Sequence, residues 1–445
     1  MPAATLALLG QTDAVDALAH PIPGRQWPHA LAALSVRNYR LFLSAQVIGT
    51  TGLWMQRIAQ DWLVLELSGS VAAVGIAVAL QFLPVLVFGL FGGVIADRYP
   101  KRRLLMITQT TAATLAATLG LLALTGTAQV WHVYLIAMLL GFVTVVDNPT
   151  RQVFVAELVG DHHVRNAVSL NSSVFQFGAL VGPALSGILI HAVGQGWSFL
   201  INAASCLVVV SMLAVIRLKP GTVTVIERAP GQLRAGLRYL RDVSEIRWTV
   251  VLVATMGVLG LNMPVILAAF AKSEFSMGVG GYSLFNSLTA VGALSGALLS
   301  ARRSAAVRLR TLVGLLSGFG VVLALASRAP SVYLFGALLV GCGLLTLLFL
   351  TGANTLVQLS SAPTLRGRVM SVYILVLLGG QAIGGPAVGW LIDHFGARST
   401  MFSCGGLIVL LAAVAGAALA HQSHLRVDID LHPRRGHSPV HIVHS

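Results

Sequence analysis

Two stretches of the chain, 203 residues apart, read almost as copies: RNAVSLNSSVFQFGALVGPALSGILIHAVG from Arg165 and RVMSVYILVLLGGQAIGGPAVGWLIDHFG from Arg368. At that one offset Arg165 meets Arg368, Gly182 meets Gly385, Pro183 meets Pro386 and His191 meets His394, and the same offset carries Gly93 onto Gly296. Apolar helices built twice over, with a helix-bending Gly-Pro pair inside each copy, describe two lobes that rock about a central site in a membrane.

The residues of the whole chain agree with a protein dissolved in lipid. Only 10% are Asp, Glu, Lys or Arg and 56% are apolar, against roughly 25% and 45–50% in soluble domains. A hydrocarbon layer about 30 Å thick takes about 20 apolar residues per helix. The chain divides into a dozen such runs, expected at 41–66, 71–96, 104–125, 131–151, 167–191, 198–216, 248–271, 282–301, 308–326, 332–353, 369–393 and 400–420. The fold class is therefore all-α and integral to the membrane, with two pseudo-symmetric bundles of six helices. The expected domains are an N-terminal arm over 1–37, a first bundle over 38–216, a linker over 217–247, a second bundle over 248–420 and a tail over 421–445.

A net charge of +14 invites a nucleic-acid reading, but its distribution excludes one. If the amino terminus lies inside, 25 of the 29 Lys and Arg fall in inner segments, while Lys272, Arg328 and Arg398 fall outside and Arg57 lies within a helix. Positive charge on the inner loops is the rule for multi-pass membrane proteins, so both termini are expected in the cytoplasm and the bilayer is the expected partner. Asp13 and Asp16 precede any Lys or Arg, unlike the basic start of a signal peptide. In the linker, Leu233, Leu237 and Leu240 at helical spacing among Arg234, Arg238 and Arg241 fit either a helix lying on the inner membrane face or a solvated connector. The tail holds six of the thirteen histidines in a polar Pro- and Gly-containing segment. Disorder is expected there, and no metal site. Cys206, Cys342 and Cys404 have no paired spacing and read as small apolar fillers.

Enzyme motifs are missing. None of Lys101, Lys219 or Lys272 follows a glycine, so there is no phosphate-cradling P-loop. There is also no G-x-S-x-G elbow, H-E-x-x-H helix or C-x-x-C pair. A carrier without an ATP motif or a cofactor runs on an ion gradient, taken here as a proton gradient, or on the gradient of its own cargo.

The sharpest local motif is Gly93-Val-Ile-Ala-Asp97-Arg98-Tyr-Pro-Lys101-Arg102-Arg103. It resembles the loop between spans 2 and 3 of the major facilitator superfamily, with Pro100 in place of the usual second glycine. Gly93 permits close helix approach. Asp97 can face the positive N-terminus of span 11 near Arg366 to Arg368, a contact of about 0.3–2 kcal/mol that would favour an outward-open state. In the second half the matching positions are Gly296 and Ser300, so such a lock is asymmetric. In span 5, Gly178-Ala-Leu-Val-Gly182-Pro183-Ala-Leu-Ser186-Gly187 is similar to the glycine-proline motif of antiporters in this superfamily, with Ser186 replacing a glycine. Further resemblance is to the enterobactin-exporter-like branch, the transmembrane secretion effectors, on Gln46 to Leu67, Asp147 to Val159, GGYSLFNSLTAVGALSGAL around Gly281-Tyr282, and Leu365 to Tyr373. It covers the membrane body and implies export of siderophores, drugs or secondary metabolites across the cytoplasmic membrane.

Polar residues at lipid depth cost about 2.5–3.5 kcal/mol each for Asp or Arg at mid-membrane and need a reason. Span 1 holds Gln46, Gln56, Arg57, Gln60 and Asp61. Arg57 and Asp61, four apart, can pair on one face, either lining an aqueous cavity as proton or cargo groups or buried between helices. Asp61 with Arg57 is the leading proton-coupling candidate. Asp147, near the inner end of span 4, is assigned to an inner gate with Gly93, Asp97, Arg98, Lys101, Arg102 and Arg151, within reach of Arg151, Arg98 or Arg102. Glu157 is placed in the following loop. The resemblance puts spans 1, 4, 7 and 10 at the centre, which selects Trp54, Gln56, Gln60, Asn148, Asn262 and Thr346 as cavity candidates. Large apolar side chains beside a few amides point to an amphipathic or hydrophobic cargo.

The expected function is proton-exchanging export of a small lipophilic compound by a monomer. The alternatives are an uptake facilitator or lipid-flipping carrier, and a scaffold or sensor that transports nothing.

Overall fold

The computed structural model describes residues 29–216, 243–302, 307–362, 365–422, 425–429 and 440–444. A short 3-10 turn, His29–Ser35, leads into twelve long helices: α1 Arg37–Ser68, α2 Val71–Arg98, α3 Lys101–Leu124, α4 Val130–Val159, α5 Val164–Val193 and α6 Gln195–Val215, then α7 Ser244–Glu274, α8 Gly278–Arg302, α9 Leu309–Ser327, α10 Val332–Ser360, α11 Arg366–Phe395 and α12 Ala397–Gln422. Eleven of them are long and apolar enough to cross a membrane by themselves. The twelfth is α1, whose Gln46, Gln56, Arg57, Gln60 and Asp61 dilute its hydropathy. Such a helix is stable in lipid only with its polar face turned toward protein or water.

Most helices outrun the apolar stretch that marks them. α4 continues past Arg151 to Val159, so Glu157 belongs to the helix rather than to the loop expected there, and it pairs with Lys101 at 3.4 Å. Glycines in the left-handed conformation end several helices, among them Gly69 after α1 and Gly160 after α4.

In the first half, α1 packs on α5 and α6, α2 on α4, and α3 on α6. In the second half, α8 packs on α10, α9 on α10 and α12, and α7 on α11. Two antiparallel pairs join the halves, α2 with α11 and α5 with α8. Gly75 and Gly385 face each other in the α2–α11 pair, where a Cβ on Gly75 would strike the Gly385 carbonyl. Side chains such as Ile107, Ile188, Leu298 and Ile383 are at least 60% exposed on the outer surface, a ring of apolar area that only lipid tails would cover. Trp131, Trp197, Tyr333 and Trp390 stand exposed near helix ends at the face that carries Gly69, as an interfacial aromatic belt does.

α7 is interrupted. A π-helical turn over Met256–Gly260 precedes a break at Leu261 and Asn262, and the helix restarts at Met263 with Pro264 in its first turn. The Asn262 amide donates to Gly257 O at 3.3 Å and Val258 O at 2.7 Å, replacing backbone bonds the break removes.

Of the linker, residues 217–242 lie outside the described residues, and with them the leucine-arginine helix. The tail expected to be disordered instead holds, among its described residues, a two-stranded antiparallel ribbon. β1 Leu425–Ile429 pairs with β2 Val440–His444, Leu425 opposite His444. Leu425, Val427 and Ile429 alternate with polar Arg426 and Asp428, the period of a strand, and the density of His and Pro hides that alternation.

Candidate substrate cavity

A cavity of about 1030 Å³ lies between the two halves. Its walls come from α1 (Gln46, Gly49, Thr50, Leu53, Gln56, Arg57), α2 (Gln81, Phe82, Val85), the facing sides of α3 to α6, and in the second half only α10 (Asn354, Gln358) and α11 (Met370, Ile374, Leu378). The lining reaches Gln152 and Val155 late in α4, Val168 early in α5, Gln358 late in α10 and Met370 early in α11. All four helix ends lie on the face that carries Arg98, so the cavity extends toward that face.

Ten amide side chains line it: Gln46, Gln56, Gln81, Gln109, Asn148, Gln152, Asn171, Asn202, Asn354 and Gln358. Only Gln56 and Asn148 were among the expected liners. Gln56 Oε1 accepts from Asn202 Nδ2 at 2.5 Å, which ties α1 to α6. The other four expected liners are off the cavity wall. Trp54 lies edge-on to Phe175 at 5.5 Å between centroids. Gln60 is buried with its Oε1 unpartnered. Asn262 is fully buried and occupied with the α7 break, and Thr346 is half-buried on α10. Helix membership alone does not say which way a residue faces. A small rotation of each helix decides it, and the amides of α2, α3, α5 and α6 leave no trace in a span-level reading.

Asp147 lines the cavity within a complete hydrogen-bond shell. It accepts from Thr108 Oγ1 at 2.8 Å and Gln109 Nε2 at 2.9 Å on α3, and from Arg151 Nε at 3.0 Å and Nη2 at 2.5 Å one turn along its own helix. Of the partners allowed by the sequence it takes Arg151. Arg102 is committed elsewhere, donating to Leu213 O and Ala214 O at 2.6 Å each, where a guanidinium neutralises the negative end of α6. Lys101 reaches Glu157, Arg98 is exposed and Asp97 is half-buried at the end of α2. Close helix approach in this motif is seen at Gly92, where a Cβ would meet the Val145 carbonyl of α4.

Arg57 and Asp61 do not pair. The Arg57 guanidinium lies over the Trp54 ring at 4.9 Å and on the cavity wall. Asp61 is buried away from the cavity and accepts from Tyr282 Oη of α8, across the boundary between the halves, at 2.8 Å. Trp62 stacks on the same tyrosine at 6.1 Å. The phenol takes the place expected for Arg57 because α8 delivers a fixed donor, while the arginine stem bends toward the open space. Nothing near Tyr282 in the sequence foretells this partner.

The glycine-proline motif of α5 seats that helix on its neighbours. Gly178 presses on Thr50 and Gly182 on Thr51 and Trp54 of α1, Gly187 presses on Ser283 of α8, and Ser186 Oγ donates to Met55 O at 3.1 Å. Pro183 lies inside the helix.

At the Gly69 face the halves are locked together. Asp393 at the end of α11 caps the start of α2: Oδ1 accepts from Val71 N at 2.9 Å, and Oδ2 accepts from Ala72 N at 3.0 Å and Ser70 Oγ at 2.5 Å. Lys272 of α7 donates to Leu65 O and Gly69 O, both at 3.4 Å, at the end of α1. The α1–α2 turn is thus held by an anion at a helix N-terminus and a cation at a helix C-terminus, each matched to the local dipole. A large cavity extending toward one face, with interlocked helix pairs at the other, is one end-state of a carrier that opens to alternate sides.

A family model described as transmembrane secretion effector matches residues 28–440. The chain belongs to this family of major facilitator transporters. The chain is similar to the multidrug efflux pump Tap of Mycolicibacterium fortuitum, 27% identical over 84% of this chain and 94% of that one. The enterobactin exporter EntS of Citrobacter koseri is 24% identical over 79% and 85%. The staphyloferrin A transporter of Staphylococcus aureus is 30% identical, over 37% of this chain and 42% of that protein. Among solved structures, the transporter fold is shared with a bacterial homolog of the lysosomal transporter Spinster in an inward-facing, unoccupied conformation (TM-score 0.69, 14% identity, covering 86% of this chain and 97% of that one). It is also shared with a D-xylose–proton symporter (TM-score 0.65, 15% identity, 84% and 97%). This secretion-effector-family protein is a multi-pass membrane transporter and not an enzyme.

Proposed function

We propose that this transporter exports small amphipathic organic compounds, of the drug or siderophore kind, across the cytoplasmic membrane in exchange for protons, acting as a single chain. The observation that carries the proposal is the cavity of about 1030 Å³ extending toward the face rich in Arg and Lys, with the opposite face shut by Asp393, Lys272 and the Asp61–Tyr282 bond. The basic face is assigned to the cytoplasm by its charge, so this state is the one that loads cargo from inside. The names carried by Tap and EntS, an efflux pump and an exporter, support the outward direction.

Asp61 is the proposed proton carrier. Its one hydrogen-bond donor, Tyr282, comes from the opposite half, so opening the Gly69 face changes what the carboxylate touches. A group whose surroundings differ between the two states has a proton affinity that differs too, which is the requirement for coupling. Asp147, held by three side chains of its own half, keeps its partners through a rigid-body rotation and is assigned a structural role in the cavity wall. The proposed outward-facing state closes the Arg98 end with Asp97 near the start of α11.

The test is accumulation of dyes, siderophores and antibiotics in inside-out vesicles under an imposed pH gradient. Accumulation that an uncoupler abolishes, and that Asp61→Asn reduces at least tenfold while Asp147→Asn leaves counterflow intact, is the expected result. Gradient-driven accumulation at the normal rate in Asp61→Asn would remove this residue from proton coupling.

A further inference from the structure

The wall of the cavity is unbalanced in both charge and hydrogen bonding. Among the described residues three charged side chains line it: Arg57, Asp147 and Arg151. Asp147 and Arg151 neutralise each other in a pair at 2.5 Å, and two further donors complete the carboxylate's shell. Arg57 has no ion pair or hydrogen bond among the described residues. Its nearest acid by sequence, Asp61, is bonded by Tyr282 off the cavity wall and acts on Arg57 only as a charge through space. Its Nε is buried without a partner.

The hydrogen-bond imbalance has the same sign. Gln46 is 5% exposed and lines the cavity, and its Nε2 is buried without an acceptor. Trp54, over whose ring Arg57 lies, has an unpartnered buried Nε1. Of the buried, unpartnered polar atoms on α1, three are N–H donors, while the acceptor Gln60 Oε1 lies off the cavity wall. Leaving a buried donor unmade costs about 1–3 kcal/mol, and a desolvated unpaired cation costs more. The two on the cavity wall, Arg57 and Gln46, gain from one kind of guest, a molecule rich in acceptor oxygens and carrying negative charge.

We propose that Arg57 is the cargo anchor of this cavity and that the cargo is a soluble organic anion, bearing a carboxylate, sulfonate or phenolate, with a flat or apolar body. The acid seats on the Arg57 guanidinium, and Gln46 Nε2 donates to a further oxygen nearer the open end of the cavity along α1. The body lies against Leu53, Phe175 and the Met370–Leu378 side of α11. This narrows the amphipathic class named above to its acidic members. It rests on the export reading only for the statement that the cavity is the cargo site.

The test is equilibrium binding of two dyes that share a xanthene-benzoate skeleton, anionic fluorescein and cationic rhodamine 123, to the full chain in zwitterionic phosphatidylcholine nanodiscs, with empty nanodiscs subtracted. Native protein is expected to bind fluorescein at least about tenfold tighter than rhodamine 123. Arg57→Lys keeps that order, Arg57→Gln erases it and Arg57→Glu reverses it. Reversal is a gain of binding that a misfolded variant cannot produce.

Equal affinity of native protein for the two dyes, or an order unchanged in Arg57→Glu, overturns the proposal. So does displacement of fluorescein by phosphatidylglycerol at equimolar amounts, which would assign the site to a lipid headgroup. Because binding is read without a gradient, charge-selective binding alongside absent gradient-driven transport would sink export and leave the anion site standing. Intact transport with charge-blind binding would do the reverse.

Discussion

The two helix pairs that join the halves of this transporter are built from the same repeated sequence yet close the Gly69 face by different physics. In the α2–α11 pair the contact is glycine on glycine, Gly75 against Gly385, and it ends in the Asp393 carboxylate on the first N–H groups of α2. In the α5–α8 pair, Gly187 rests on Ser283 and Ser287 Oγ donates to Leu180 O at 3.3 Å. The position matching Asp393 at the 203-residue offset is Ile190, an apolar side chain 8% exposed. One seam therefore holds by a directional, charge-assisted cap and the other by packing and a neutral hydrogen bond. Duplicated helices set where the seams run, and single substitutions near their ends decided which seam carries the lock.

Backbone contact at the first seam is the hardest part to alter. Gly75→Val drives new atoms into the Gly385 carbonyl, which no rotamer change relieves. Overpacking of this kind costs about 1–3 kcal/mol, enough to shift the balance of states about five- to 150-fold away from closure of the Gly69 face. Spin labels on Thr127→Cys and Tyr333→Cys, one in each half at that face, should show a second, longer distance. An unchanged distribution would mean that Gly75 and Gly385 do not govern closure.

Between the seams, Tyr282→Phe removes the one hydrogen-bond donor that the buried Asp61 carboxylate has among the described residues. A loss of about 1–3 kcal/mol is expected for the closed state, at the low end if water enters. Adding Asp61→Asn should leave the double variant less impaired than the sum of the two. Additive effects would show that the residues act independently and would weaken the coupling role given to Asp61.

Asp393→Ala breaks the cap itself. Loss of an N-cap costs about 0.5–2 kcal/mol, and because Asp393 is solvent-exposed the lower half of that range applies. The label distances should shift about two- to fivefold in population, and the effect in native protein should shrink in high salt. Ile190→Asp, the reciprocal change, should give the second seam no such gain. If it tightens closure, the seams are more alike than their present chemistry implies.

The smallest effect is expected from Lys272→Met, whose 3.4 Å contacts to the end of α1 contribute about 0.3 kcal/mol, less than a twofold shift in the same distance measurement. A larger response would place Lys272 beside Asp393 as a principal lock.

Much of this molecule was legible before its structure. Runs of apolar residues marked the helices, the basic loops marked one face, and the Gly-Pro pairs marked where helices press together. Length and periodicity are local properties, and lipid enforces them without reference to the rest of the chain. The site was legible only in part. Arg57 and Asp61 stood out because charge within a span is rare, and Asp147 because its partner Arg151 lies one turn away. Spacing allows Arg57 to pair with Asp61, but an i,i+4 pair competes with every donor that neighbouring helices supply, and the hydrogen bond to Asp61 comes from Tyr282. Gln81, Gln109, Asn171 and Asn202 escaped notice because an amide on an apolar helix can as easily tie two helices together as face water, and spacing does not separate those outcomes.

By itself the sequence determined twelve membrane helices in two related sets, the face that carries the positive charge and the lack of any built-in ATP motif, since each follows from the order of residues along one strand of chain. Only the tertiary structure decided that the cavity extends toward that basic face, that Asp61 is held from the opposite half, and that the donors of α1 stand unanswered around an empty space. Those facts depend on how each helix is rotated about its own axis, and that rotation is fixed by packing among helices far apart in sequence.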